Sequence, residues 1–275
     1  MKKESVINRL NNIIDKKPPI KGKVHLDIEY AKVKRKQYAL DIYEPLNKFD
    51  FGKAPVIVFM HGGSWTHGDK STIRVIDRFV NELRDNGWFV ISINYVAGLW
   101  GGFIDGALSN SIKALDWIVK NASIYGYDPK KTALHGVSAG GHIALLIALN
   151  ERIEGIKFSF VLSEYAPTDF FDMANGDAFD DSKNFKLLSK RKQKELSPIN
   201  YISKDIPPIL LLHGTNDNRV HIRQSEKFFN KSMEISAPVD FFKIDGGNHG
   251  LLNIDEKERK KQEKTVLNFI KNHSK

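Results

Sequence analysis

The sequence predicts an α/β fold: a mostly parallel sheet with helices on both faces. Three observations predict it. Strand-like and helix-like periodicities alternate along the chain, the pattern that sets crossover helices between parallel strands. The central strands are continuous apolar runs, such as Ala54–Met60, rather than alternating ones, as strands buried on both faces require. The residues able to do chemistry follow directly on strand ends, where open parallel sheets bind their ligands.

The elements follow in order. Residues 1–20 read as a basic helix, with Val6, Ile7, Leu10, Ile13 and Ile14 on one face. Val24–Glu29 and 37–43 alternate as half-buried strands with no helix between them, which predicts an antiparallel edge. Ala54–Met60 is a buried strand ending at His61-Gly62-Gly63. A helix follows with Ile76, Phe79, Val80 and Leu83 on one face, then a strand over 88–95. Leu108, Ile112, Leu115 and Ile118 mark the next helix, and 132–135 a short strand running into Gly136 and a helix through Leu149. Strands at 158–162, 209–212 and Val239–Ile244 make eight in all, and a helix packed through Val266, Phe269 and Ile270 closes the chain. The stretch of about 164–206 carries no strand signal and is expected to be a small cap or pocket wall, since a long insertion in a compact domain is usually functional. The whole of 1–275 is expected to form one domain.

Composition removes several classes. The 275 residues include no cysteine, so no disulfide framework, zinc-thiolate site or cysteine nucleophile is available. The longest apolar run, 143–149, falls far short of the roughly 18 residues that span a bilayer, and no continuous apolar secretion signal is visible. The chain is therefore read as cytoplasmic. Of the formal charge of +9, residues 1–36 hold +7, with 11 Lys/Arg against 4 Asp/Glu. No aromatic residues interleave with these lysines as a single-strand groove needs, so the basic segment reads as a solvated face, with neither nucleic acid nor membrane as a partner. No metal-ligand spacing is visible, and activity is expected to be insensitive to EDTA.

The clearest chemical element is Gly136-Val137-Ser138-Ala139-Gly140-Gly141-His142, a G-x-S-x-G between a strand and a helix. Such a turn is sharp and strained. It pushes the serine hydroxyl out of the sheet and starts the helix at the nucleophile, so that the first N–H groups face developing negative charge. His61-Gly62-Gly63-Ser64-Trp65 ends the central strand with bare backbone N–H groups. Gly62, Gly63 and Ala139, the residue after the serine, are the candidate oxyanion donors. A serine needs a base and the base an orienting carboxylate. Of nine histidines, His249 stands in a glycine-rich loop just past a late strand, where a base belongs. Asp217, just past 209–212, is the favoured acid, with Glu164 and Asp245 as competitors. Trp65, Trp100, Phe103, Phe170, Phe171 and Phe179 are expected to line the pocket beside the serine.

With these residues in place the chain resembles the alpha/beta-hydrolase esterase/lipase family, in the branch of hormone-sensitive-lipase-like and bacterial carboxylesterases. The matching pieces are His61-Gly62-Gly63-Ser64-Trp65 with Gly68-Asp69-Lys70, Tyr125-Gly126-Tyr127-Asp128-Pro129, Gly136-Val137-Ser138-Ala139-Gly140-Gly141, His213-Gly214-Thr215-Asn216-Asp217 and Asn248-His249-Gly250. The resemblance implies a serine hydrolase that cleaves small-molecule carboxylic esters with no cofactor, with Ser138 as nucleophile, Asp217 as acid and His249 as base. It departs from many relatives at Ser64, where they carry a third glycine, and after Tyr95, where they carry an arginine. An arylformamidase-like amide hydrolase, a deacetylase of acylated sugars and a non-catalytic ligand-binding module on the same fold are the alternative readings. The oligomeric state stays open, with a homodimer among the states allowed.

Overall fold

The computed structural model describes residues 21–31, 38–50, 52–95, 104–175 and 188–274. The expected helix over 1–20 lies outside the described residues, as do Trp100, Phe103 and Phe179. The strands are β1 (Val24–Glu29), β2 (Ala39–Tyr43), β3 (Ala54–Met60), β4 (Phe89–Ile93), β5 (Tyr127–Val137), β6 (Phe158–Glu164), β7 (Ile209–Gly214) and β8 (Val239–Ile244). They form one mostly parallel sheet in the order β1-β2-β4-β3-β5-β6-β7-β8. The α-helices are α1 (Asp77–Asp85), α2 (Ile104–Tyr125), α3 (Ala139–Asn150), α4 (Phe170–Asn175), α5 (Lys190–Glu195), α6 (Arg223–Glu234) and α7 (Glu256–His273). The chain falls into two compact units, Met1–Thr132 with Ile153–Lys157, and Ala133–Arg152 with Phe158–Lys275.

In the first unit β1 and β2 form the expected antiparallel edge, Val24 opposite Tyr43 and Glu29 opposite Ala39. β2 is also antiparallel to β4, and β4 is parallel to β3 from Val56–Phe89 to Met60–Ile93. Every position of β2 is buried, although its sequence alternates like a half-exposed strand. The polar position explains the discrepancy. Asp41 is buried and bound by Lys70 Nζ at 2.7 Å, and Asp27 holds the same ammonium at 2.9 Å. A buried charge survives only with such partners. The segment after the glycine turn begins as a 3-10 stretch, Lys70–Ile76, before α1, in which Val80 and Leu83 are buried as expected. In α2 the buried face is Ile104, Ala107, Ser111, Ala114, Leu115, Ile118 and Ala122. Leu108 and Ile112 sit at its margin, half-buried. The buried face thus mixes large residues with Ala and Ser, whose small side chains allow close approach.

In the second unit β6, β7 and β8 run parallel, with Glu164 opposite Leu212 and Gly214 opposite Ile244. Their carboxyl ends are therefore level, and the loops that leave them start from one edge. α3 is buried at every residue from Ala139 to Ile147, so it carries apolar side chains on all sides. α7 lies against β6 and β8, where Phe269 meets Phe160 edge to face at 5.7 Å. Among the described residues between Glu164 and Ile209 there is no strand, in line with the expected insertion. Side chains beyond the short helices hold them in place. Ser197 Oγ accepts the N–H of Phe170 at 2.8 Å, and Gln224 Oε1 accepts those of Thr168 and Asp169, each at 2.8 Å.

Candidate active site

Ser138 is the residue between β5 and α3. Its backbone holds φ 53° and ψ −120°, a region that non-glycine residues rarely enter, so the strained turn predicted from the motif is present. Two backbone bonds hold it there. The Ser138 N–H donates to Glu164 O at 2.9 Å, and its carbonyl accepts from the N–H of His142 at 3.0 Å, which begins the helix. The flanking glycine is obligatory: a Cβ on Gly136 would lie 2.3 Å from the carbonyl oxygen of Gly140.

Two further loops complete the site. At the end of β7, Gly214 approaches the His249 loop so closely that a Cβ would lie 2.2 Å from Gly247 O. The Asn216 N–H donates to that same oxygen at 2.9 Å, and Thr215 Oγ1 accepts from Gly246 N–H at 2.8 Å. These bonds stitch the loop of Asp217 to the loop of His249. Asn253 braces the second loop, accepting from the N–H of Asn248 at 2.8 Å and donating to Gly246 O at 2.9 Å.

The three side chains meet in line. His249 Nδ1–H donates to Asp217 Oδ2 at 2.8 Å, which leaves Nε2 to accept the Ser138 hydroxyl at 3.1 Å. The Asp217 side chain is fully buried, whereas His249 is 18% exposed. Burial alone would raise the Asp217 carboxyl. Hydrogen bonds from His213 and His249, the His249 charge and the N–H of Val220 outweigh it and hold the group well below the usual carboxylate range. Asp217 thus stays ionised as a partner for imidazolium. Tyr165, itself at φ 39°, meets the His249 ring edge-on at 4.9 Å.

The competing acids are engaged elsewhere. Glu164 binds His135 Nε2 at 2.7 Å, and Asp245 accepts from Thr215 Oγ1 at 3.4 Å. Two further histidines are likewise engaged elsewhere. His61 and His142 are enclosed, and burial pushes both down to about 4, so they are neutral rings. His142 donates from Nε2 to Leu196 O at 2.8 Å.

The oxyanion candidates are placed within their own units. Gly63 has φ 131° and accepts from the N–H groups of Thr66 and His67 at 3.0 and 3.1 Å. Ser64 and Trp65 follow at φ 53° and 57°, so the turn holds two left-handed non-glycine residues in a row. His61 Nδ1–H donates to Gly62 O at 2.7 Å and Tyr95 OH to His61 O at 2.6 Å. Because a trans peptide sets carbonyl and N–H in opposite directions, the first bond also fixes where the Gly63 N–H points. Ala139 opens α3, so its N–H is among the helix's unshared donors.

The pocket expectations fare differently. Phe170 is fully buried and stacks on His142 with centroids 4.7 Å apart, which corrects its placement: it has no surface to offer a ligand and serves as packing. Trp65 is 2% exposed and is likewise an interior anchor, of the left-handed turn. Phe171 projects outward, 52% exposed. One residue was missed. His213 places Nε2 3.2 Å from Asp217 Oδ2, and the sequence signal for it was the spacing of four between His213 and Asp217 at the end of a strand.

A family model, BD-FAE, matches residues 40–232, a span that includes Ser138 and Asp217 and stops short of His249. The chain is 27% identical over 241 residues to the probable carboxylic ester hydrolase LipM of Mycobacterium tuberculosis, covering 81% of this chain and 55% of that protein. It spans about half the length of the curated relatives it matches. Its fold is similar to that of a truncated carbohydrate esterase from gut microbiota, with a TM-score of 0.74 and 23% identity over 91% of this chain and 97% of the other. It is also similar to that of Thermogutta terrifontis esterase 2 phosphonylated by sarin, with a TM-score of 0.76 and 20% identity over 92% and 95% of the two chains.

Proposed function

The chain belongs to the BD-FAE family, an alpha/beta-hydrolase esterase family, and from that premise we propose that it is a serine carboxylesterase acting on short-chain or aryl carboxylic esters. The observation that carries the proposal is the line of two hydrogen bonds, 3.1 Å from Ser138 Oγ to His249 Nε2 and 2.8 Å from His249 Nδ1 to Asp217 Oδ2.

The geometry supports the following mechanism. Ser138 Oγ attacks the ester carbonyl while His249 Nε2 takes its proton. Asp217 holds the imidazole with Nδ1–H toward itself and stabilises the imidazolium that forms. Negative charge grows on the carbonyl oxygen, for which Gly62, Gly63 and Ala139 are the proposed N–H donors. His249 then protonates the leaving alcohol. Water, activated by the same nitrogen, hydrolyses the acyl-serine.

A second reading draws on the gut-microbial neighbour, whose printed name makes it a carbohydrate esterase. Deacetylation of an acylated sugar uses the same acyl transfer with a different leaving alcohol, and the triad supports it equally. The experiment that tests the shared chemistry is labelling with a serine-directed phosphonate followed by peptide mapping. A single adduct on Ser138, blocked by an ester substrate, is expected. An unlabelled protein, or an adduct elsewhere, would favour a ligand-binding module instead.

A further inference from the structure

The carboxylate of Asp217 receives more than the triad requires. Oδ1 accepts the backbone N–H groups of Arg219 and Val220, each at 2.9 Å. Oδ2 faces two imidazoles: His249 Nδ1 at 2.8 Å and His213 Nε2 at 3.2 Å. His213 is wholly enclosed, and the same Nε2 lies 2.7 Å from Val220 O. Both of its partners there are acceptors only, so Nε2 carries the proton and shares it between them. Its other nitrogen, Nδ1, lies 2.8 Å from Ser225 Oγ in the first turn of α6. A hydroxyl either donates or accepts, so the Nε2–H donor persists whatever the state of Nδ1.

We propose that His213 is a positioning residue of the triad: its Nε2–H, with the ring oriented by Ser225, pins the Asp217 oxygen that faces His249. The hydrogen-bonded line then runs Ser225–His213–Asp217–His249–Ser138. With Oδ1 gripped by two backbone donors and Oδ2 by two rings, the carboxylate has no room to rotate. Loss of the His213 bond leaves Oδ2 held by His249 alone, so acid and base move as a pair and Nε2 drifts from Ser138 Oγ. Misplacement of this kind lowers turnover rather than substrate binding.

The test uses two amides of different reach. In His213→Gln the side-chain nitrogen lies as many bonds from the backbone as Nε2 and can donate to Oδ2. In His213→Asn it lies one bond nearer, in the position of Nδ1, and keeps only the Ser225 contact. The kinetic arm rests on the esterase reading: kcat per folded molecule is expected to fall about 10–100-fold in His213→Asn with KM nearly unchanged, and to recover to within about fivefold of wild type in His213→Gln. The second arm needs no turnover. The downfield proton resonance of His249 Nδ1–H is expected to move in His213→Asn and to return toward its wild-type position in His213→Gln. A resonance that behaves so in an enzyme that hydrolyses no ester would sustain the inference and overturn the esterase reading. Equal kcat and an unmoved resonance in both variants, or failure of both to fold, would make His213 an ordinary core residue and overturn the inference.

Discussion

Ser138 carries the strain of the site in its own backbone, at φ 53°, and two neighbours hold it there through main-chain bonds. The carboxylates divide the remaining work by what they touch. Asp217 binds His249, and Glu164 binds His135, so their neutral amides have different consequences. Asp217→Asn is expected to lower kcat on the order of 10⁴-fold with the fold intact, because the amide presents the wrong partner to Nδ1–H. Glu164→Gln is expected to keep kcat within a few-fold and to cost stability instead. Steady-state kinetics with a thermal melt of each variant checks this, and the opposite ranking would make Glu164 the acid. Ser138, Asp217 and His249 were legible because each follows a strand beside glycines. His213 showed only its spacing of four from Asp217, because its role depends on Val220 and Ser225, whose approach to one ring is set by the turn into α6.

Among the elements, β3 and β7 were readable because both of their faces are buried and Ala54–Met60 and 209–212 are continuously apolar. α2 was placed correctly, and Leu115 and Ile118 are buried, but a pattern read from large residues overlooks Ala107, Ser111 and Ala114, which share its buried face. The short α4 and α5, six residues each, have no signature at all. Helices of one to two turns lack the length to be stable alone, and here Gln224 and Ser197 hold the surrounding backbone. The loops past β7 and β8 show the reverse case, where a small residue has a decisive task. Gly214 lets Gly247 O approach, and a methyl group there would meet it at 2.2 Å. Gly214→Ala is therefore expected to push the acid and base loops apart and to lower kcat tenfold or more, with a smaller change in KM. An alanine variant with wild-type kcat would mean that the loops adjust independently of the site.

For the molecule as a whole, the buried neutral rings set a dependence of stability on pH. His61 and His142 are pushed down to about 4 by burial, against roughly 6.5 in an unfolded chain. Between those values the unfolded chain binds protons that the folded chain refuses, so unfolding becomes easier as pH falls. Their contribution is complete above about pH 6.5 and declines toward pH 4. That of Asp217, whose carboxyl is held low, is lost only below about pH 4, the ordinary carboxylate range. The urea midpoint is expected to drop steadily from pH 7 to pH 5, and less steeply in His142→Gln, which keeps a donor for Leu196 O without the titrating ring. Equal slopes would show that His142 accepts a proton in the folded state. At this scale the sequence conveyed the sheet and the triad through local patterns. It conveyed less of the pocket, because whether Phe170 or Phe171 faces a ligand is decided by packing against His142 and not by residue type.

Turnover of p-nitrophenyl acetate, butyrate and octanoate by the wild type and Ser138→Ala, side by side, tests whether Ser138 is the nucleophile of an esterase. Hydrolysis is expected to fall off toward octanoate and to drop by up to about 10⁶ in kcat without the serine hydroxyl. Hydrolysis that persists in Ser138→Ala, or none by the wild type on any of the three esters, would contradict that role.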